Sequence, residues 1–233
     1  MFLEAPNERI REIYVSESFF ITEECRKKLA LLGYETVSPE IFKKISDTMT
    51  PQGILCVVQR NEQPLSVMFR RENPTILILE DLQDPGNLGT IMRTAEAAGV
   101  DGIILTRGSV DMYNPKVVRS TMGAIYRVPF FYTDRVDEVI AACRKRNMKI
   151  YAAHLKGEKY YYEFDYAGKG GSAFLIGNEG NGLKAETAKL ADVYLKIPME
   201  GKAESLNAAV ASSILMYEAY RQKLIQNKGE KGI

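Results

Sequence analysis

The chain has 233 residues, 45% hydrophobic and 26% charged, which is ordinary globular usage for one or two domains. Its 31 basic and 30 acidic residues leave a formal charge of +1. That excludes a protein that coats nucleic acid by bulk charge, but not one that grips it through a local basic patch.

No apolar run approaches the ~20 residues of a membrane-spanning helix. The opening MFLEAPNERIREIYV lacks the basic-then-apolar build of a signal peptide, so a cytoplasmic protein is the default expectation. Residues 1–60 read as a small α/β unit. A short β-type run at 13–15 is followed by a helix to residue 32, with Thr22 as N-cap and Gly33 as stop. A second strand at 35–37 precedes a helix at 39–45 with Pro39 in its first turn. The turn-rich SDTMTPQG then leads to a strand at 54–58. Residues 61–74, NEQPLSVMFRRENP, mix charge and proline without a period and read as a linker. The apolar Leu65, Val67, Met68 and Phe69 leave a packed edge segment open.

From residue 75 strands and helices alternate. The continuous apolar run at 76–79 suits a strand covered on both faces. A helix at 88–98 is closed by Gly99, and strands follow at 102–105 and 128–131. A helix at 136–146 ends on basic residues, as the macrodipole favours. Further strands are expected at 149–153, 173–176 and 194–197. A long helix over 206–224 carries Ala209, Ile214, Met216 and Tyr217 on an apolar face. This alternation predicts a parallel sheet with helices on both faces, an α/β fold. The domains expected are 1–60, a linker at 61–74, 75–225, and a frayed tail at 226–233. Cys25, Cys56 and Cys143 are widely spaced, with no CxxC or Cys/His cluster, so reduced inert thiols and no metal are expected.

Ligands of such sheets bind in the loops at the carboxyl ends of strands. Three of those loops are unusual. EDLQDPGNLG leads into NLGTIMRTAEAAG, residues 87–99. Its Arg93 has small and apolar neighbours, Ile91, Met92 and Ala95, so the helix reads as buried over much of its surface. A guanidinium in that setting wants an anion such as a nucleic-acid phosphate; the plain alternative is a solvated surface charge. FLIGNEGNGL, residues 174–183, has three glycines in six positions and lets a ligand approach the backbone closely. It nearly matches the phosphate-loop pattern, but Leu183 replaces the required lysine, which excludes a nucleoside triphosphatase. No dinucleotide fingerprint follows the first strand either. The plain alternative is a turn leading into a helix. The third loop belongs to IPMEGKAESLNAAVASSILMYEA, residues 197–219, where Ser205 is the expected helix cap.

In this order the three segments resemble the SpoU (TrmH-like) RNA 2′-O-ribose methyltransferases of the SPOUT superfamily, over roughly residues 75–221. Asn87, Gly89 and Arg93 match the family's first motif. Gly177, Glu179, Gly180 and Gly182 match its second. Ile197, Pro198, Met199, Ser205, Leu206 and Asn207 match its third. NPKVVRSTMGAIYRVP, residues 114–129, also resembles the family. VSESF, LGYE and SDTMTPQGILCVV resemble the small RNA-binding domain that precedes the catalytic domain in many relatives, here short at its start.

The resemblance implies a parallel α/β sheet ending in a C-terminal trefoil knot. It implies S-adenosylmethionine as cofactor, held at Leu155, Gly177, Ile197, Met199 and Leu206, and no metal. It implies catalysis centred on Arg93, with Asn87, Glu179, Ser205 and Asn207 orienting it and shaping the site. A guanidinium is a poor base, so Arg93 is expected to bind a phosphate and stabilise the developing alkoxide. The lone histidine, His154, sits beside the presumed cofactor loop and is expected to be structural or near the cofactor. A homodimer is implied. The expected reaction is methylation of a ribose 2′-hydroxyl in ribosomal RNA. Open beside it stand a transfer-RNA enzyme, a base-methylating SPOUT enzyme, and a non-catalytic RNA-binding protein on the same fold.

Overall fold

The computed structural model describes residues 1–60 and 63–230, with side chains as far as residue 226. The chain divides into two units, Met1–Asn61 and Glu62–Ile233.

The first unit contains β1 (Ile10–Ser16), α1 (Glu23–Leu32), β2 (Glu35–Val37), α2 (Pro39–Ile45) and β3 (Ile54–Val58). Local chemistry sets their limits. The side chain of Thr22 accepts from Cys25 N and that of Ser38 from Ile41 N, so each helix start is capped. Gly33 ends α1 at φ 74°, a backbone that costs glycine little. β1 lies between its neighbours, parallel to β2 and antiparallel to β3. Phe2, Ile13, Val15 and Leu29 form the core of this unit.

The second unit holds β4 (Thr75–Leu79), α3 (Pro85–Ala97), β5 (Gly102–Thr106), α4 (Pro115–Ser120), β6 (Phe130–Thr133), α5 (Val136–Arg144) and β7 (Lys149–Ala153). β8 (Lys159–Tyr160), β9 (Ser172–Ile176), α6 (Ala185–Ala188), β10 (Val193–Lys196) and α7 (Ala208–Glu230) complete it. The sheet runs β6-β5-β4-β9-β7-β10-β8, and every pairing in it is parallel. β4 is buried throughout because both its faces are covered. Leu77, Leu79, Ile103, Leu105 and Phe174 pack on one face with α3 and α7, and Ile76, Ile78, Ile104 and Leu175 on the other with α5.

The structure corrects several boundaries. Leu65–Phe69, inside the expected linker, form a 3-10 helix whose Met68 and Phe69 are buried in the second unit. Met68 packs so closely on the first residue of β5 that a Cβ on Gly102 would stand 2.3 Å from its Cγ. α3 starts at Pro85, not Leu88, because Asp84 accepts from Asn87 N at 2.7 Å and proline is preorganised for a first turn. β6 begins at Phe130 because Val128 N still bonds back to Ala124 O, within the preceding turn. α7 begins two residues after the expected start, and it reaches Glu230, so the expected frayed tail is helical up to there. Residues 231–233 of that tail lie outside the described residues. α4, α6 and β8 are additional. Among the described residues no helix is long and apolar enough to cross a membrane.

Candidate active site

The sheet grows outward from β4 through β5 to β6, then resumes on the other side at β7, with β9 filling the place between. Open parallel sheets bind ligands where their strand order reverses, beyond the carboxyl ends of the strands. Here the loops after β4, β7, β9 and β10 leave that edge. A cavity of about 360 Å³ opens among the last three, lined by Leu155, Gly177, Glu179, Ile197, Met199, Ser205 and Leu206. Ile176, Leu195 and Ala208 add apolar wall, and His154, Lys196 and Glu204 add polar groups. All five expected cofactor positions therefore line one cavity.

The glycine loop is a tight turn. Asn178 and Gly182 exchange backbone hydrogen bonds at 3.0 and 2.9 Å, and Asn178 Oδ1 accepts from Gly180 N at 2.9 Å. A Cβ on Gly177 would lie 2.0 Å from the carbonyl carbon of Gly182, so only glycine lets the two backbones cross.

Glu179, at the tip of this turn, ties the motifs together. Its carboxylate accepts from Asn87 Nδ2 at 2.9 Å and from the backbone amides of Gln83 and Asp84, each at 3.2 Å. Asn87 Oδ1 accepts from Asn207 Nδ2 at 2.9 Å. Asn207 Oδ1 accepts from Ala209 N at 2.9 Å and Val210 N at 3.2 Å. Each amide donates on one side and accepts on the other, so the chain of bonds has a single polarity. Partial burial opposes ionisation of Glu179, but the bonds from Asn87 and the surrounding backbone amides outweigh it and hold the carboxyl below its ordinary range.

Asn207, not Ser205, thus caps α7. Ser205 is exposed and lines the cavity instead. Arg93 does not line the cavity. It lies on the exposed stripe of α3 with Gly86, Thr90 and Ala97, while Leu88, Gly89, Ile91, Met92 and Ala95 face inward. The helix is buried over much of its surface, as expected, but Arg93 itself falls on the solvent side of the helical period. Gly89 has a packing reason: a Cβ there would meet Ser120 Oγ at 2.1 Å, so the glycine lets α4 cross α3 closely. His154 stacks on Tyr194 with ring centroids 4.9 Å apart, and its Nδ1 accepts from Lys156 N at 3.1 Å.

Sequence reasoning missed Glu80 and Asp81. Glu80 is buried at the end of β4, and Asp81 holds φ 51° beside it. Their only signal was a pair of acids closing an apolar strand. Among the described residues no group of three or more His, Cys, Asp or Glu is placed to hold a metal ion. Cys25, Cys56 and Cys143 are free thiols; burial pushes Cys143 up to about 12 and Cys56 up to about 11, so neither is a reactive thiolate.

Fold and site together define a doubly wound α/β protein with a cavity of small-ligand size at the carboxyl ends of β7, β9 and β10, and a separate small α/β unit earlier in the chain. Residues 74–217 match the model of the SpoU rRNA Methylase family, and residues 2–64 match the model described as RNA 2'-O ribose methyltransferase substrate binding. The chain belongs to the SpoU rRNA methylase family. It is 34% identical over 181 residues to the 23S rRNA (guanosine(2553)-2'-O)-methyltransferase RlmP of Bacillus subtilis, covering 78% of this chain and 70% of that one. It is 30% identical over 268 residues to the mitochondrial rRNA methyltransferase 3 of Mus musculus, covering 93% of this chain and 64% of that one. The crystal structure of the SpoU methyltransferase AviRb from Streptomyces viridochromogenes in complex with AdoMet superposes with a TM-score of 0.85 at 27% identity, over 96% of this chain and 87% of that one.

Proposed function

We propose that this enzyme transfers a methyl group from S-adenosylmethionine to a ribose 2′-hydroxyl of ribosomal RNA. The observation that carries the reading is the hydrogen-bonded set Glu179–Asn87–Asn207, which joins all three motifs and whose Glu179 lines the cavity. The cavity fits the cofactor: about 360 Å³ lies within the usual range for small-molecule sites. Its apolar wall, from Ile176, Leu195, Ile197 and Leu206, suits an adenine ring, and the backbone of the glycine loop offers polar groups at close range. When bound, S-adenosylmethionine supplies an electrophilic methyl carbon with a thioether as leaving group.

The residues of this chain then have to hold and align. Leu155, Gly177, Ile197, Met199 and Leu206 hold the cofactor. Glu179 and Asn87 fix the turn between β4 and α3 against the glycine loop, and Asn207 fixes the start of α7 to Asn87. Ser205, on the cavity wall, faces the reacting groups. Arg93 projects to solvent, where an RNA phosphate can reach it. There it binds the substrate and stabilises the negative charge that develops on the 2′-oxygen as its proton passes to solvent water. Ribosomal RNA is favoured over transfer RNA because both named relatives above act on it. An intact Arg93 and Glu179 favour an enzyme over an RNA-binding protein that kept only the fold.

Two further features belong to this reading. One is a trefoil knot at the C-terminal end, supported by the insertion of β9 between β4 and β7 and by the packing of α7 against α3. The other is a homodimer, supported by Val210, Tyr217 and Leu224, exposed at seven-residue spacing along α7. Arg93→Ala tests the central assignment. Methyl transfer to ribosomal RNA is expected to fall by about a hundredfold or more, with cofactor affinity unchanged. Undiminished turnover would remove Arg93 from the reaction.

A further inference from the structure

β4 and β9 run side by side, with Leu79 opposite Ile176, so Glu80 stands opposite Gly177, where the glycine loop begins. Glu80 N bonds to Ile176 O at 2.9 Å and carries the ladder one residue past the strand. The residue is only 3% exposed. Burying a carboxylate is costly unless its oxygens are satisfied. Here one oxygen accepts from Lys184 N at 2.7 Å and the other from the hydroxyl of Thr187. Both donors lie beyond the far end of the glycine loop, Lys184 just before α6 and Thr187 within it.

Asp81 grips the same loop at both ends. Its backbone oxygen accepts from Asn178 Nδ2 at 2.7 Å, at the loop's beginning. Its carboxylate pairs with Lys184 Nζ at 2.7 Å, at the loop's end, and accepts from Thr106 Oγ1 at 2.7 Å. The Lys184 bond and then the Thr106 bond hold the Asp81 carboxyl below its ordinary range. The tip of the loop, Glu179, is held by the amides of Gln83 and Asp84. Four of the five residues after β4, Glu80, Asp81, Gln83 and Asp84, therefore hold the start, the tip and the end of residues 177–184. Nearly all of that segment lines the cavity.

We propose that Glu80 is a positioning residue for cofactor binding: its buried carboxylate anchors the end of the glycine loop and so sets the backbone that lines the cavity. This rests on the S-adenosylmethionine reading above. Glu80 does not line the cavity itself and acts only through the loop. A loop preset in this way is ordered before the cofactor arrives, and binding then costs less conformational entropy. Glutamine can replace glutamate here, since its oxygen can accept from Lys184 N while its amide donates to the Thr187 hydroxyl. Alanine cannot.

The test compares wild type, Glu80→Ala, Glu80→Gln and Thr187→Val in the full chain. Hydrogen exchange without cofactor reads the loop, and steady-state kinetics with S-adenosylmethionine and ribosomal RNA read the site. Glu80→Ala is expected to speed amide exchange at residues 178–184 about tenfold or more, while amides of β4, β5 and β9 stay as in wild type. KM for S-adenosylmethionine is expected to rise about tenfold, with kcat at saturation within about threefold. Glu80→Gln should restore both. Thr187→Val, which keeps the side-chain shape, should move both in the same direction by less, and it decides the matter if Glu80→Ala fails to fold. Unchanged loop exchange in a folded variant would overturn the proposal, and so would faster exchange spread evenly over the sheet. If wild type itself fails to bind S-adenosylmethionine, the cofactor reading falls and with it the role assigned to Glu80. Binding by wild type with equal binding by the alanine variant overturns the Glu80 role alone.

Discussion

Glu179 shows how single residues give this site its acid response. Its carboxyl is held below the ordinary value of 4.5 in the folded protein. A depressed folded-state pKa means that the group stabilises the fold above its unfolded pKa. The contribution is lost as pH falls through the lower folded value. Wild type should therefore melt higher than Glu179→Gln at neutral pH, and the gap should narrow as pH falls below the ordinary glutamate range. Thermal melts at a series of pH values check this; a gap independent of pH would contradict it. Asn87, Glu179 and Asn207 were legible one by one through their motifs. Their wiring was not, because its bonds join residues 92 and 120 positions apart. Ser205 and Asn207 are both good N-cap types, two residues apart, and sequence alone could not choose between them. Glu80 was missed because its donors, Lys184 N and Thr187 Oγ1, lie 104 and 107 residues away, at α6.

At the level of elements, long periodic segments were readable and short ones were not. β4, β5, β7 and β9 are apolar runs, and α3 and α5 carry a clear helical period. α4 has six residues, α6 four and β8 two, too short for a period to show. α4 did carry a usable signal: Asn114 accepts from Lys116 N and Pro115 occupies the first turn. The apolar face expected on α7 splits in two. Ala209 and Met216 enter the core, whereas Tyr217 is 48% exposed with Val210 and Leu224 on the same outer stripe. That stripe is the basis for the proposed dimer. Tyr217→Glu should shift the chain from about twice its monomer mass to the monomer in sedimentation equilibrium, while its circular dichroism stays unchanged. A wild-type chain that sediments as a monomer would contradict the dimer.

For the molecule as a whole, the alternation of strands and helices was enough to read a parallel sheet. The strand order was not readable, because the place of β9 between β4 and β7 depends on pairings that no local pattern encodes. That order matters most for function, since it brings the three motif loops to one edge. The family match over residues 2–64 and 74–217 fits the two units.

The most direct test of the central claim is methyl transfer from labelled S-adenosylmethionine to ribosomal RNA and to transfer RNA, both from cells lacking the gene, with the product nucleosides identified by mass spectrometry. A 2′-O-methylnucleoside in the ribosomal pool alone is the predicted result. A base-methylated nucleoside, or no transfer to ribosomal RNA by a chain that binds the cofactor, would contradict it.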